Sequence, residues 1–268
     1  MNELIVGAIQ LPTLGMNATR LEFYFKKASE RGSRAVLLGE YVTNHFFKEL
    51  VAMPISMIQE QTNSHVKILK KLSAEYDMVV VAPIIDVKKE KIYKKIAIIS
   101  PKSTRYYMQQ ILINYPHWDE EEFFDNPIKP LTDIFTFTLD GFKIGVMYGF
   151  ESHFDKLWES VLRKKVDIVF IPTASTFGSK ERWESLLCMR AFLNSCYILR
   201  CNRVGDFEED DIIWSFYGES MLINPDGEIE MKLEERESML IEEISKDEIE
   251  DSFYGWGFYE QLAKRGEL

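Results

Sequence analysis

The clearest fold signal in this chain is residues 144–151, with the sequence IGVMYGFE. This stretch begins as a buried apolar strand, turns sharply at Gly149 and leads directly into an amphipathic helix. The apolar positions of that helix follow a helical period, and they are Phe154, Leu157, Trp158, Val161 and Leu162. A strand, a sharp turn and a helix have the form of a nucleophile elbow, but the position for the nucleophile is glycine. The glycine by itself predicts a turn that needs a permissive backbone.

Buried strands and amphipathic helices alternate on both sides of this elbow. Strands are predicted at residues 4–11, 35–38, 78–83, 93–100, 105–112, 134–139, 142–148, 167–173, 196–201, 220–224 and 239–244. Helices are predicted at residues 21–28, 58–76, 154–164 and 183–191. The alternation, which ends in hairpins, predicts an α/β protein whose sheets are covered by helices.

Residues 113–130 are predicted to form a long loop, because they contain three prolines and an acidic run but no apolar period. Long loops inside compact domains are often functional. No polar linker divides the chain, so we predict one domain over residues 1–268.

The composition excludes several classes of protein. Of the 268 residues, 46% are hydrophobic, enough for a sizeable core, yet no stretch approaches the ~18 apolar residues of a membrane helix. The 43 acidic and 32 basic residues give a formal charge of −11, which repels phosphate backbones and anionic lipids. We therefore expect neither nucleic-acid nor membrane partners. An acid at Glu3 and a break in the first apolar run at Gln10 do not fit a signal peptide, so we expect a cytoplasmic protein.

Cysteines and histidines give no sign of a metal or a cofactor. Cys188, Cys196 and Cys201 are odd in number and lack metal-type spacing, so they are predicted to be reduced packing residues. The four histidines, His45, His65, His117 and His153, have no ligand spacing, and no glycine-rich nucleotide motif occurs. We predict no metal site and no cofactor.

Glu40 is the best catalytic candidate from the residues alone. It ends an apolar run, where a carboxylate is costly to desolvate unless something pairs with it. The alternative is a solvent-facing loop residue. Ligand groups in open α/β sheets gather at the carboxyl ends of strands, and further polar groups follow other strands at Glu120, Tyr148, Glu151, Thr173 and Ser175.

Beyond single residues, an ordered set of motifs resembles the nitrilase or carbon-nitrogen hydrolase superfamily over nearly the whole chain. The matching segments are residues 8–11, 38–41, 107–112, 145–151, 167–172, 186–187, 190–191, 202–205, 217–220 and 224–227, with Phe154, Trp183 and Asn194. The resemblance implies a four-layer αββα sandwich. It also implies a triad in which a glutamate is the general base, a lysine stabilises the tetrahedral intermediate and a cysteine is acylated.

Carried over by position, the resemblance leaves this triad incomplete. Glu40 matches the base, and Glu120 matches a second glutamate near the lysine. Gln109 falls at the lysine position, with Gln110 as the fallback if the register slips by one, and Gly149 falls at the cysteine position. The covalent route of the family is then not available. Without a cation, one of the two glutamates is expected to be protonated, and the pocket to prefer a cationic or proton-sharing guest.

Three functions follow as hypotheses. The first is a non-hydrolytic relative that binds a small amide, amine or acyl ligand or a partner protein. The alternative is an active amide hydrolase in which Glu40, helped by Glu120, activates a water in the space that Gly149 leaves. The third is a purely structural component of an oligomer.

The residues give expectations for the pocket, and the resemblance gives expectations for assembly. Trp118, Phe150 and Thr173 are predicted to contact the ligand, with His117 and Phe177 as further candidates for the pocket wall; the alternative for the aromatic residues is a packing role. At least a homodimer is implied, in which the helix at residues 154–164 buries Leu157, Trp158 and Val161 partly at a two-fold interface.

Overall fold

Two six-stranded sheets face each other at the centre of the described residues, and helices cover their outer sides. The protein is seen in a computed structural model that describes residues 2–16, 19–209 and 211–267. The two ends of the predicted domain, Met1 and Leu268, lie outside them.

The strands are β1 (Glu3–Gln10), β2 (Ala35–Leu38), β3 (Val79–Lys88), β4 (Lys91–Ser100), β5 (Ser103–Met108), β6 (Asn114–Tyr115), β7 (Trp118–Asp119), β8 (Phe135–Leu139), β9 (Phe142–Val146), β10 (Ile168–Thr173), β11 (Tyr197–Asn202), β12 (Val204–Glu209), β13 (Ile212–Tyr217), β14 (Met221–Ile223), β15 (Ile229–Lys232) and β16 (Ser238–Ser245). The helices are α1 (Thr19–Glu30), α2 (Phe47–Leu50), α3 (Ile55–Tyr76), α4 (Glu120–Phe123), α5 (Asp155–Lys164), α6 (Lys180–Asn194), α7 (Lys246–Trp256) and α8 (Phe258–Ala263). A 3₁₀ turn covers Phe150–His153.

Each sheet has a parallel centre with antiparallel flanks. The first runs β16-β1-β2-β3-β4-β5 and the second β15-β14-β11-β10-β9-β8. Strands β1, β2 and β3 are parallel to one another, as are β9, β10 and β11. The two sheets meet at the carboxyl ends of β2 and β10, where the Glu40 N–H donates to the Thr173 carbonyl at 3.1 Å. Side chains that follow these strands therefore converge on one place.

The strands are apolar on both faces because each sheet is covered on both sides. In β2, Ala35 and Leu37 face the other sheet, while Val36 and Leu38 face the helices. Helices α1 and α3 cover the first sheet, and α5 and α6 cover the second. The predicted α/β class and four-layer αββα sandwich are confirmed.

Residues 113–130 are more ordered than predicted. Strands β6 and β7 pair as a short hairpin, and α4 begins directly after it. The acidic run is the first turn of this helix, where negative side chains are favourable, and Asp119 caps it by accepting a hydrogen bond from the Glu122 N–H at 3.0 Å. The predicted strand over residues 105–112 was also too long, since β5 ends at Met108.

Helix α5 buries its apolar side inside the chain. Leu157 and Val161 are fully buried and Trp158 is 3% exposed, all against the outer face of the second sheet. The Trp158 indole N–H donates to the Ser152 carbonyl at 2.8 Å. The prediction that these three residues lie partly at a two-fold interface is therefore wrong, because their side chains are already buried within the chain.

The three cysteines are free, with Cys196 and Cys201 buried and Cys188 half-buried, which agrees with a packing role. In the part of the chain that the structure describes, no helix has the length and apolar character to cross a membrane.

Candidate active site

Glu40 stands where the two sheets come closest. Gly39, just before it, leaves no room for a side chain, since a Cβ there would lie 2.8 Å from the Arg203 backbone nitrogen. This close approach brings Glu40 from the end of β2 beside the end of β10. The Glu40 side chain is 9% exposed, and its Oε2 lies 2.6 Å from the Lys94 Nζ.

Lys94, on β4, supplies a cation between the two glutamates. Its Nζ lies 2.6 Å from Glu40 Oε2 and 2.6 Å from Glu120 Oε1, and its side chain is 3% exposed. The rings of Tyr41 and Tyr148 flank the ammonium with centroids at 4.8 and 5.0 Å. The prediction of an uncompensated glutamate pair is therefore wrong, and the reason for expecting a cationic guest disappears with it.

Gln109 lies opposite Lys94 and does not take part in this charged cluster of Glu40, Lys94 and Glu120. Its backbone N–H donates to the Lys94 carbonyl at 3.1 Å, which places the two residues side by side across β4 and the continuation of β5. The Gln109 amide turns away and donates to the Ile111 carbonyl at 2.7 Å. The fallback position, Gln110, bonds Thr132 with both ends of its side-chain amide and lies outside the cluster.

Glu120 is fully buried, and one of its carboxylate oxygens accepts three hydrogen bonds. The Tyr41 hydroxyl, the Lys94 ammonium and the Trp118 indole N–H all donate to its Oε1, at 2.5, 2.6 and 3.2 Å. Tyr41 reaches it from a left-handed backbone conformation, with φ of 56°, that a tyrosine adopts only at a cost. Glu120 is thus a fixed partner of Lys94.

The Glu40 carboxylate is poised to exchange a proton near neutrality. Burial raises its pKa to about 7, against the opposing attraction of Lys94 and with a further upward push from Glu120. Burial alone would lower the pKa of Lys94, but the charges of Glu120 and Glu40 outweigh it and the pKa is raised. Lys94 therefore stays charged at the pH where Glu40 titrates.

Glycine fits position 149 because there is no room for a side chain, and not because the backbone there adopts a conformation that only glycine tolerates. Its φ of −51° and ψ of −50° are ordinary right-handed helical values, so the prediction of a conformation that needs glycine is wrong. A Cβ at this position would lie 2.5 Å from Thr173 Cγ2 and 3.2 Å from the Pro172 carbonyl oxygen. The place where a nucleophilic side chain would begin is already filled.

The Glu151 carboxylate stabilises the elbow through three hydrogen bonds. It accepts hydrogen bonds from the backbone N–H groups of Tyr148 at 2.8 Å and Gln110 at 2.6 Å, and from the Tyr107 hydroxyl at 2.9 Å. Burial raises its pKa to about 7 against the effect of these bonds. The carboxylate thereby ties the end of β9 to the end of β5.

A cavity of about 380 Å³ opens over Glu40 and Gly149. The three side chains predicted to contact a ligand, Trp118, Phe150 and Thr173, all line it. The exposed residues at its rim are Tyr115, His117, His153, Phe177 and Arg182. Among the described residues no group of three or more His, Cys, Asp or Glu side chains could hold a metal ion.

The fold and these motifs agree with one family. The model of the carbon-nitrogen hydrolase family matches residues 5–252. The chain belongs to the carbon-nitrogen hydrolase family. It is 23% identical to the N-carbamoylputrescine amidase of Oryza sativa subsp. japonica, over 96% of this chain and 91% of that protein. It is 22% identical to the 2-oxoglutaramate amidase of Bacillus subtilis, over 80% of this chain and 78% of that protein.

Solved structures of this family share the fold. A carbon-nitrogen hydrolase from Helicobacter pylori superposes with a TM-score of 0.83 at 18% identity, covering 96% of this chain and 94% of that one. A nitrilase-superfamily protein of Saccharomyces cerevisiae gives a TM-score of 0.76 at 18% identity, covering 95% and 94%.

Within this carbon-nitrogen hydrolase fold, the predicted residues do not all meet. Glu40, Glu120 and Gly149 lie around one site, whereas the Gln109 side chain points elsewhere. Lys94 was missed by sequence reasoning. Its signal was present, because Lys94 shares the strand face of Ile92 and Ile96, both buried, at a spacing of two residues.

Proposed function

We propose that this carbon-nitrogen hydrolase cleaves amides by direct attack of a water that Glu40 activates, without an acyl-enzyme. The observation that carries the proposal is the position of Glu40. Of the three members of the charged cluster, Glu40 is the one that lines the cavity. Among the described residues, Lys94 is the donor that bonds its carboxylate, through Oε2, which leaves Oε1 to accept a proton.

The reaction balances without any further reagent. Glu40 takes a proton from the water, and the water oxygen bonds to the amide carbonyl carbon. The carbon–nitrogen bond then breaks, and the nitrogen leaves as ammonia or an amine with the proton that Glu40 returns. Gly149 lines the cavity beside Glu40, but Thr173 Cγ2 fills the space where a side chain would begin, so the attacking water would stand in the cavity and not, as predicted, in the space of the missing side chain.

A covalent route finds no cysteine. None of the three cysteines lines the cavity, and burial raises the pKa of Cys201 to about 12, so its thiol stays protonated. Thr173 lines the cavity, but its hydroxyl donates to Asn202 Oδ1 at 3.0 Å and has no neighbouring base.

The rim of the cavity favours an amide that also carries a carboxylate. Arg182 is exposed there, and no acidic side chain among the described residues pairs with it. Beside the cavity floor, Lys94 offsets one of the two buried glutamate charges. 2-Oxoglutaramate, the compound in the name of the Bacillus subtilis relative, has this pattern of an amide and a carboxylate.

The test is ammonia release from a panel of neutral, anionic and cationic amides, with Glu40→Gln and Glu121→Gln compared with the unchanged protein. Glu121 is an exposed carboxylate beside Glu120, so its substitution controls for the loss of one negative charge. We expect turnover of an anionic amide that Glu40→Gln abolishes and Glu121→Gln leaves intact. Turnover that survives in Glu40→Gln contradicts the proposed base.

A second candidate is a protein that binds the same ligands without turnover. The filled space at Gly149 favours it, because a missing nucleophile there is built into the packing. The same panel distinguishes the two functions. Calorimetric binding of amides with no ammonia release, weakened in Glu40→Gln, identifies the non-hydrolytic function.

We also propose that the chain forms a single domain, acts in the cytoplasm and assembles at least as a homodimer. The apolar side of α5 is buried inside the chain. The contact between protomers would therefore use exposed apolar side chains of α6, of which Met189 is 54% and Leu193 42% exposed. Light scattering of the unchanged protein and of Leu193→Glu tests the assembly, and a monomeric unchanged protein contradicts it.

A further inference from the structure

Lys94 and Gln109 are cross-strand neighbours, although only the Lys94 side chain reaches the charged cluster. Lys94 and Gln109 are directly opposite across an antiparallel pair, with the Gln109 N–H bonded to the Lys94 carbonyl at 3.1 Å. Opposite residues put their side chains on the same face with Cβ atoms about 5 Å apart. A flexible four-carbon lysine stem can cover such a distance. Gln109 is 1% exposed, and its Oε1 has no hydrogen-bond partner among the described residues.

We propose that Lys94 is a positioning residue whose ammonium keeps Glu40 ionised and turned toward the cavity, and that a lysine at position 109 can supply the same cation from the opposite strand. The proposal rests on the proposed function in so far as Glu40 is the base. Under this proposal the site requires a positive charge between Glu40 and Glu120, and either of the two strands can carry it.

The surroundings of Glu40 make a cation necessary. Glu120 and Glu151 both push the pKa of Glu40 upward, and burial acts in the same direction. Tyr41 and Tyr148 contribute neutral hydroxyls, because burial raises the pKa of each well above its usual range. Against these groups, Lys94 is the cation that contacts Glu40 among the described residues. Without it, Glu40 should hold its proton well into the alkaline range.

The experiment is an exchange of the two side chains. Lys94→Met removes the cation, and Lys94→Gln combined with Gln109→Lys moves it to the other strand. Lys95→Met is the matched control, because the neighbouring Lys95 points to the other face of β4 and pairs with Asp86 at 2.5 Å. Carbon-13 labelled glutamate carboxyls are titrated by NMR in each variant, and Glu40→Gln assigns the Glu40 signal.

We expect Lys94→Met to raise the apparent pKa of Glu40 by about one to three units, as the loss of a close opposite charge does. The exchange variant should return it to the value of the unchanged protein, and Lys95→Met should not move it. Where an amide is turned over, the acid limb of kcat/KM should shift in parallel.

The proposal is overturned if Lys94→Met leaves the Glu40 titration unchanged, or if the exchange variant folds but titrates like Lys94→Met. If Lys94→Met does not fold, the exchange variant decides alone: a folded protein with the original titration supports the proposal, and an unfolded one contradicts it. A panel without any turnover counts against the proposed function only, since the titration needs no substrate.

Discussion

The two sides of the site compare differently with the triad that the family resemblance implies. On one side, Gln109 falls where the resemblance implies a lysine, yet Lys94 puts an ammonium 2.6 Å from both glutamates. On the other side, Gly149 falls where it implies a cysteine, and Thr173 occupies the space where a side chain would begin. Lys94 supplies a charge from a neighbouring strand, whereas none of the three cysteines lines the cavity.

The difference follows from what each group must do. A cation acts through its position relative to Glu40 and Glu120, and a long side chain from another strand can reach that position. A nucleophile must present one atom to the substrate carbonyl with tight geometry, and a turn exposes one residue only. In the proposed function, the site therefore keeps its electrostatics and works without the covalent step.

The largest expected effect separates the two glutamates. Glu120→Gln breaks a buried pair that has no contact with the cavity, so it should lower the free energy of unfolding by about 3–5 kcal/mol. Glu40→Gln should instead lower kcat/KM by about 10²–10⁴-fold with a smaller loss of stability, since Glu40 borders the cavity. Chemical denaturation and ammonia release measure the two effects. Equal stability losses would remove the distinction between fixed partner and base.

The next effect concerns the space at the elbow. Gly149→Ala should destabilise the fold by about 1–3 kcal/mol, because the added Cβ overlaps Thr173 Cγ2. Thr173→Ser removes that methyl but keeps the hydroxyl that donates to Asn202 Oδ1. In the Gly149→Ala background it should therefore restore part of the loss in a thermal unfolding cycle. Additive losses would mean that Thr173 is not what excludes a side chain there.

A third effect lies in the pH dependence. Glu40 must be ionised to act as a base, and its pKa is raised to about 7. Activity should therefore be present above that pH and fall about tenfold per unit below it. The profile of kcat/KM against pH measures this limb. An acid limb near pH 4 would indicate that Glu40 is not the titrating base.

The smallest effect is at the rim. Arg182→Gln should raise KM for a carboxylate-bearing amide by about two- to fivefold, the range of an exposed ion pair, and leave a neutral amide unchanged. Arg20→Gln is the control for surface charge, because Arg20 is exposed and does not line the cavity. An equal change for both substrates would assign Arg182 to general packing of the rim.

Much of the framework could be predicted from local pattern, and the charged cluster could not. The apolar runs at β2 and β10 gave the strands, and the elbow sequence gave the strand–turn–helix order. Lys94 had a readable signal, because it lies on the same strand face as Ile92 and Ile96, but two adjacent lysines are more typical of a solvent-exposed segment. The contact between Lys94 and Glu120 depends on how the strands pair in the sheet, and the spacing of residues in the sequence does not show this pairing.

The packing at Gly149 was beyond sequence reasoning for a different reason. The atom that excludes a side chain belongs to Thr173, on another strand, at a separation set by the register of β9 and β10. Glycine at a turn suggests backbone freedom, and only the observed φ of −51° shows that space is the constraint.

Hydrolysis by an activated water without an acyl-enzyme can be distinguished from covalent catalysis by intact mass spectrometry of the protein, quenched during turnover of an amide, with hydroxylamine present in a parallel reaction. We expect ammonia release, an unmodified protein mass and no hydroxamate, because no nucleophile carries the acyl group. An acyl adduct on the protein, or hydroxamate formed at the expense of the free acid, would contradict it.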